Sequence, residues 1–182
     1  VTKHIALIRG INVGSSKRVA MADLKRMLTG LGFADVRTLL NSGNAVFEAS
    51  LSPPTVTAAV EQGLADDLKV PATVIVRTRD QVVAAMAADP LAALATDGAK
   101  HFLGFLAGTP DAAKVGQIPE LAENADTAPD AVRLIDDHLY LWCPNGSLNA
   151  TFTKVNWDRL LGTAVTMRNW NTVGKLVELA AD

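Results

Sequence analysis

The sequence has a single cysteine, Cys143, among its 182 residues, so no intrachain disulfide can form and a thiolate metal site lacks its second ligand. A reducing compartment is the expectation. Aromatic residues make up only 5% of the chain, and the runs HIALIR and NAVFEA, which would be the central strands of an RNA-recognition sheet, offer only Phe47 for stacking. Basic charge is not in excess: 17 Lys and Arg face 19 Asp and Glu, for a net charge of −2. Nucleic acid is therefore disfavoured as a partner, and no basic stripe marks a lipid surface. Long hydrophobic runs are missing too. The longest, Ala58 to Leu68, is broken by Glu61, Gln62, Asp66 and Asp67 and falls short of the ~18 residues of a membrane span. Val1 to Arg9 shows neither an apolar h-region nor a cleavage signal. A cytoplasmic protein with no membrane partner is expected.

The familiar catalytic constellations are absent as well. His4, His101 and His138 are far apart, with no metal-ligand spacing, and read as packed or surface residues. There is no G-x-S-x-G elbow. Asp66-Asp67 and Asp136-Asp137 read as a solvated helix face and a turn. No metal, cofactor, general base or nucleophile can be nominated, and oligomeric state is not encoded legibly.

A hydrophobic share of 49% with 20% charged residues is that of a globular protein. Lys3 to Gly10 is apolar on both alternating faces, as in a central strand buried on two sides. After a Gly-, Asn- and Ser-rich loop, Met21, Leu24, Met27, Leu28 and Leu31 recur at helical spacing, and Gly32 ends that helix. Strands Val36 to Leu40 and Ala45 to Glu48 flank the turn Asn41-Ser42-Gly43-Asn44. Pro53 and Pro54 introduce a helix with the stripe Val56, Val60, Leu64 and Leu68, followed by a strand from Ala72 to Arg77. The order is β-α-β-β-α-β, the split pattern of ferredoxin-like folds. A third helix spans Asp80 to Ala88. The small, polar segment Ala92 to Lys100 separates two expected subdomains of one compact α+β unit, residues 1–90 and 100–182. The smaller C-terminal half reads as a strand from His101 to Leu106, a loop with short helix from Thr109 to Pro129, a hairpin around Asp136-Asp137, and helices over Lys154 to Leu161 and Asn171 to Ala180. No sequence repeat is visible. The apolar first strand predicts a sheet covered on both faces.

Three segments carry chemistry beyond packing. In the loop after the first strand, Gly10 and Gly14 allow close backbone approach, while Arg9, Lys17 and Arg18 supply positive charge beside polar Asn12. Ala20 stands at the N-cap position of the next helix and offers no acceptor, leaving its first amides available to an anion. The spacing is neither a Walker A loop nor G-x-G-x-x-G. In the hairpin, Asn41, Ser42 and Asn44 could bind polar groups, although a tight turn uses the same residues. Near the C-terminus, Arg168, Asn169, Trp170, Thr172 and Lys175 fall within a short run. There a guanidinium suits a carboxylate or phosphate and an indole suits a planar group; a helix cap and a packing Trp are the plainer reading.

The runs ALIRGINVG, GF-x-DVRT-x-x-NSGNAVFE and TMRNWNTVGKL together resemble the bacterial family catalogued as domain of unknown function 1697. The resemblance implies a two-part α+β protein whose first part is ferredoxin-like, and it brings no activity. The family usually has a Gly-Gly or Gly-Lys step where this chain has Gly14-Ser15-Ser16, a departure that loosens the phosphate-loop reading. Two functional expectations follow. In one, the three segments form a polar, cationic cleft between the halves that binds a small anionic ligand, a nucleotide or phosphorylated metabolite. In the other, the protein is a non-catalytic interaction or self-association module working through a sheet edge or the Leu139 to Trp142 hairpin.

Overall fold

The computed structural model describes residues 1–121 and 127–181. The chain divides into two units, Val1–Ala84 with Lys175–Asp182, and Ala85–Gly174. In the first, β1 (Thr2–Ile8), α1 (Met21–Gly30), β2 (Ala34–Leu39), β3 (Asn44–Ala49), α2 (Pro53–Asp66) and β4 (Val74–Thr78) follow in the expected order. The four strands form an antiparallel sheet in the order β2-β3-β1-β4, compatible with the ferredoxin-like arrangement.

Alternation decides which residues meet the helices. Ala6 and Ile8 of β1, Phe47 of β3, and Val74 and Val76 of β4 pack with Leu24 and Leu28 of α1 and Val56, Val60 and Leu64 of α2. Each large aliphatic side chain so buried contributes roughly 1.5–3 kcal/mol. Phe33 stacks on Phe47 at 4.6 Å within the same core. The opposite parity, Ile5, Leu7 and Val46, is 1% exposed, so both faces of β1 are buried as its sequence predicts.

Helix α3 (Arg79–Ala87) begins directly after β4, and Gln81 Oε1 accepts from the Thr78 amide at that junction. The second unit holds β5 (His101–Leu106), α4 (Ala112–Val115), β6 (Ala131–Ile135), β7 (His138–Trp142), α5 (Trp157–Leu161) and β8 (Val165–Asn169), with α6 (Trp170–Leu179) following at once. Its sheet runs β6-β7-β5-β8, all antiparallel. This corrects the expectation for the second half: β8 is a strand that was not foreseen, and the unit is a second β-α-β-β-α-β with the connections of the first. The expected helix over Lys154 to Leu161 is a 3-10 turn, Phe152–Lys154, and the five-residue α5. Asp111 caps α4 and Asn156 caps α5. Part of the Thr109 to Pro129 loop, residues 122–126, lies outside the described residues.

The second core gathers Leu106, Val132, Leu139, Leu141, Cys143, Leu161 and Val165, closed by Trp157, whose Nε1 donates to Phe152 O at 2.8 Å. Gly104 lies in the middle of β5 because a Cβ there would meet Leu139 Cβ at 3.0 Å. Tyr140 is buried, and its hydroxyl donates to Ala85 O at 2.7 Å. No described helix is long and apolar enough to cross a membrane.

Candidate functional site

Two of the three segments meet in the first unit, and Asn12 joins them. Its Nδ2 donates to Val19 O at 2.8 Å and to Asn41 O at 2.7 Å, while its Oδ1 accepts from the Val19 amide at 2.8 Å. The carboxamide thus pins the β1–α1 loop across its own base and onto the β2–β3 hairpin. Asn12 is spent on this clamp and is not a free ligand group, a role its position alone did not reveal.

The hairpin is accounted for by turn chemistry. Asn44 is fully buried, and its Nδ2 donates to Leu39 O and Ser42 Oγ, both at 3.0 Å. Gly43 sits at φ 87°, and any Cβ there would lie 2.8 Å from Ile8 O. The turn must press on β1 closely enough for Gly43 O to accept from the Ile8 amide at 2.7 Å. The side chain of Asn41 remains exposed at the tip.

What the clamp holds is a basic loop. Val13 to Arg18 is exposed, and Lys17 takes φ 50°, a left-handed conformation that costs a non-glycine residue about 1 kcal/mol or more. Arg18 lines an open depression of about 410 Å³ together with Asn12, Val19, Ala20, Met21 and Asn41. Lys17 lines a neighbouring one of about 390 Å³ with Glu61, Pro71, Ala72 and Thr73. At the head of α1, Ala20 is the N-cap with extended backbone, and no side chain caps the first turn. Arg9 is half-buried, its amide donating to Thr73 O at 2.9 Å. Gly10 and Gly14 border open space.

The third segment lies at the β8–α6 junction, and Arg168, Asn169 and Trp170 have partners within their own unit. Asn169 Oδ1 accepts from the Thr172 amide at 2.9 Å, which makes it a helix cap. Trp170 stacks on His101 at 4.1 Å, nearly parallel. His101 is buried, with Nε2 3.5 Å from Asp89 Oδ1. Burial holds the His101 imidazole below its ordinary pKa, against the opposing pull of Asp89. Arg168 donates through Nη1 to Met167 O at 2.9 Å and to Thr166 Oγ1 at 3.3 Å, and burial lowers its pKa to about 10. Lys175, exposed on α6, belongs to the first unit.

The assembled chemistry is an exposed cationic loop, pinned at its base beside an uncapped helix start, with no acid–base pair or activated nucleophile among its side chains. Curated proteins offer no match. Among solved structures, the chain is similar to a conserved bacterial protein, SP0830 of Streptococcus pneumoniae, with a TM-score of 0.73 and 23% identity over 98% of each chain, a likeness of fold. The family model described as a protein of unknown function, DUF1697, matches residues 1–140; it takes in the clamp and the hairpin and leaves the β8–α6 junction outside. The chain belongs to the DUF1697 family.

Proposed function

We propose that the protein binds a small anionic ligand, a nucleotide or a phosphorylated metabolite, at the β1–α1 loop of its first unit. The Asn12 clamp carries this reading: three hydrogen bonds hold a short basic loop in a strained, exposed form at the head of α1. Strain kept up by such a clamp is characteristic of sites that must be preorganised. A phosphate at this position would accept from the Met21 and Ala22 amides, gain from the helix dipole, and be neutralised by Lys17 and Arg18. The exposed side chain of Asn41 would reach it from the hairpin. Ser42 and Asn44 stay with the turn, and Arg168, Asn169 and Trp170 are occupied in their own unit, so the first-unit loop supports the reading by itself. Binding without catalysis is the activity this set of side chains supports.

A thermal-shift panel of inorganic pyrophosphate, nucleoside phosphates, sugar phosphates and organic acids tests the reading. A ligand at a hundredfold excess over its Kd adds about 2.7 kcal/mol. In a chain of this size each kcal/mol raises Tm by roughly 2–4 °C. At least one phosphate compound should raise Tm, and the double variant Lys17→Ala, Arg18→Ala should lose that rise. A flat panel, or a shift the double variant keeps, would rule the site out.

A further inference from the structure

Each sheet has two edge strands, β2 and β4 in the first and β6 and β8 in the second. All four carry an arginine, and the registers place them in equivalent rows. Across the first sheet the row is Arg37, Val46, Ile5, Arg77; across the second it is Arg133, Tyr140, Leu103, Arg168. Their strand neighbours Val76, Val132 and Met167 belong to the helix-packed cores, so the arginines lie on the opposite face.

Ladder phase then decides where the backbone groups point. In an antiparallel pair, alternate residues turn both N–H and C=O toward the partner, and those between turn them away. The Arg9 amide donates to Thr73 O, so Ile75 and Arg77 face β1 while Val76 points off the edge. The Ala107 amide donates to Ala164 O, so Thr166 and Arg168 face β5 and Met167 points off the edge. In the hairpin closed by Asp136 and Asp137, Ile135 and His138 form the closing pair, which turns Arg133 toward β7 and Val132 outward. At each of these three edges the arginine Nη1 donates to the outward carbonyl: Arg77 to Val76 O at 3.1 Å, Arg133 to Val132 O at 2.8 Å, and Arg168 to Met167 O at 2.9 Å. The fourth edge is blunted otherwise. β2 has a register break between Ala34 and Arg37, with Asp35 at φ 48°.

An edge strand presents unpaired backbone groups as a template for another strand. We infer that Arg77, Arg133 and Arg168 are edge guards, which block strand addition by a second copy of this chain. Each fills an acceptor an incoming strand would need. Docking would also displace the guanidinium from that carbonyl and cost it the hydrogen bond. Arg168 therefore serves the sheet edge rather than a ligand, and self-association through a sheet edge is the mode of assembly this chain is built against. The role is independent of the anion-binding reading.

Sedimentation velocity on methionine and lysine variants at the three positions tests this, with urea unfolding and the near-UV circular dichroism of the aromatic side chains of both units as the measure of folding. Arg77→Met, Arg133→Met and Arg168→Met should each raise the associated fraction several-fold and add an intermolecular-β amide I band. The lysine variants, which keep a charge and a donor, should sediment as the wild type. Folded methionine variants that sediment as the wild type overturn the inference, as do lysine variants that associate equally. If a methionine variant loses its near-UV signal, the shorter, neutral Arg→Gln variant is read at that position, with association supporting the role and wild-type sedimentation overturning it.

Discussion

His4 is fully buried on β1 beside the ring of Phe47, at 6.0 Å, and burial keeps its imidazole below the ordinary pKa of 6.5. His101 is lowered for the same reason. In the unfolded chain both rings take a proton near pH 6.5, whereas the folded chain resists until the pH is lower. The unfolded state then binds more protons, so stability is intact above about pH 6.5 and falls as the pH drops through the window beneath it. Tm should decline between about pH 7 and pH 5, and His4→Phe should flatten that decline; a variant with the wild-type slope would clear His4 of it. Cys143 is a second residue governed by burial. It is 0% exposed, and desolvation, helped by Asp130, pushes its thiol up to about 11. Ellman's reagent should leave it untouched in the native protein and modify it fully in denaturant. Fast labelling of native protein would contradict its place in the core.

At the scale of elements, the clamp and the helix ends carry most of the consequences. Asn12→Ala removes three hydrogen bonds and strands the part-buried amide and carbonyl of Val19, a loss of about 1–3 kcal/mol. Urea unfolding should show that loss, and amide exchange at Val19 should speed up while the β1 and β3 amides stay protected. The end of α6 is held by two arginines: Arg37 Nη1 donates to Leu179 O at 3.4 Å and Arg79 Nε to Val177 O at 3.3 Å. Positive charge at a helix C-terminus is favourable by about 0.3–1 kcal/mol. Arg79→Ala should therefore cost stability of that order, read from the urea midpoint, and an unchanged midpoint would deny the contact any weight. These elements also show what was legible in the sequence. Helices α1 and α2 announce themselves through apolar residues three and four apart. β8 does not, because Val165 and Met167 alternate with Thr166 and Arg168 over only five residues, and Trp170 begins α6 directly after Asn169 with no turn residue between. Strand and helix share one unbroken run, in which Asn169 and Asn171 both offer a helix cap but nothing marks the strand before it.

At the scale of the molecule, two units repeat one strand order, although their sequences show no repeat to the eye. The equivalence rests on the pairing register, in which a Val in one row stands for a Tyr in the other and only the edge arginines keep their identity. Composition read along the chain does not expose such a correspondence, since what is common is direction of backbone and parity of burial. The first unit was legible because its helical stripes are regular and its stop and turn residues, Gly32, Gly43 and Pro53-Pro54, are local signals. The candidate site was legible in part: its basic residues and uncapped helix stood out and Asn169 offered itself as a cap, whereas the use of Asn12 as a clamp depends on neighbours 7 and 29 residues away. The most direct measurement is an amide ¹⁵N–¹H titration of the full chain with inorganic pyrophosphate. Saturable shifts confined to Gly10–Ala22 and the Asn41 hairpin are the predicted result. Spectra that do not move, or shifts scattered over both units without saturation, would contradict a binding site at the β1–α1 loop.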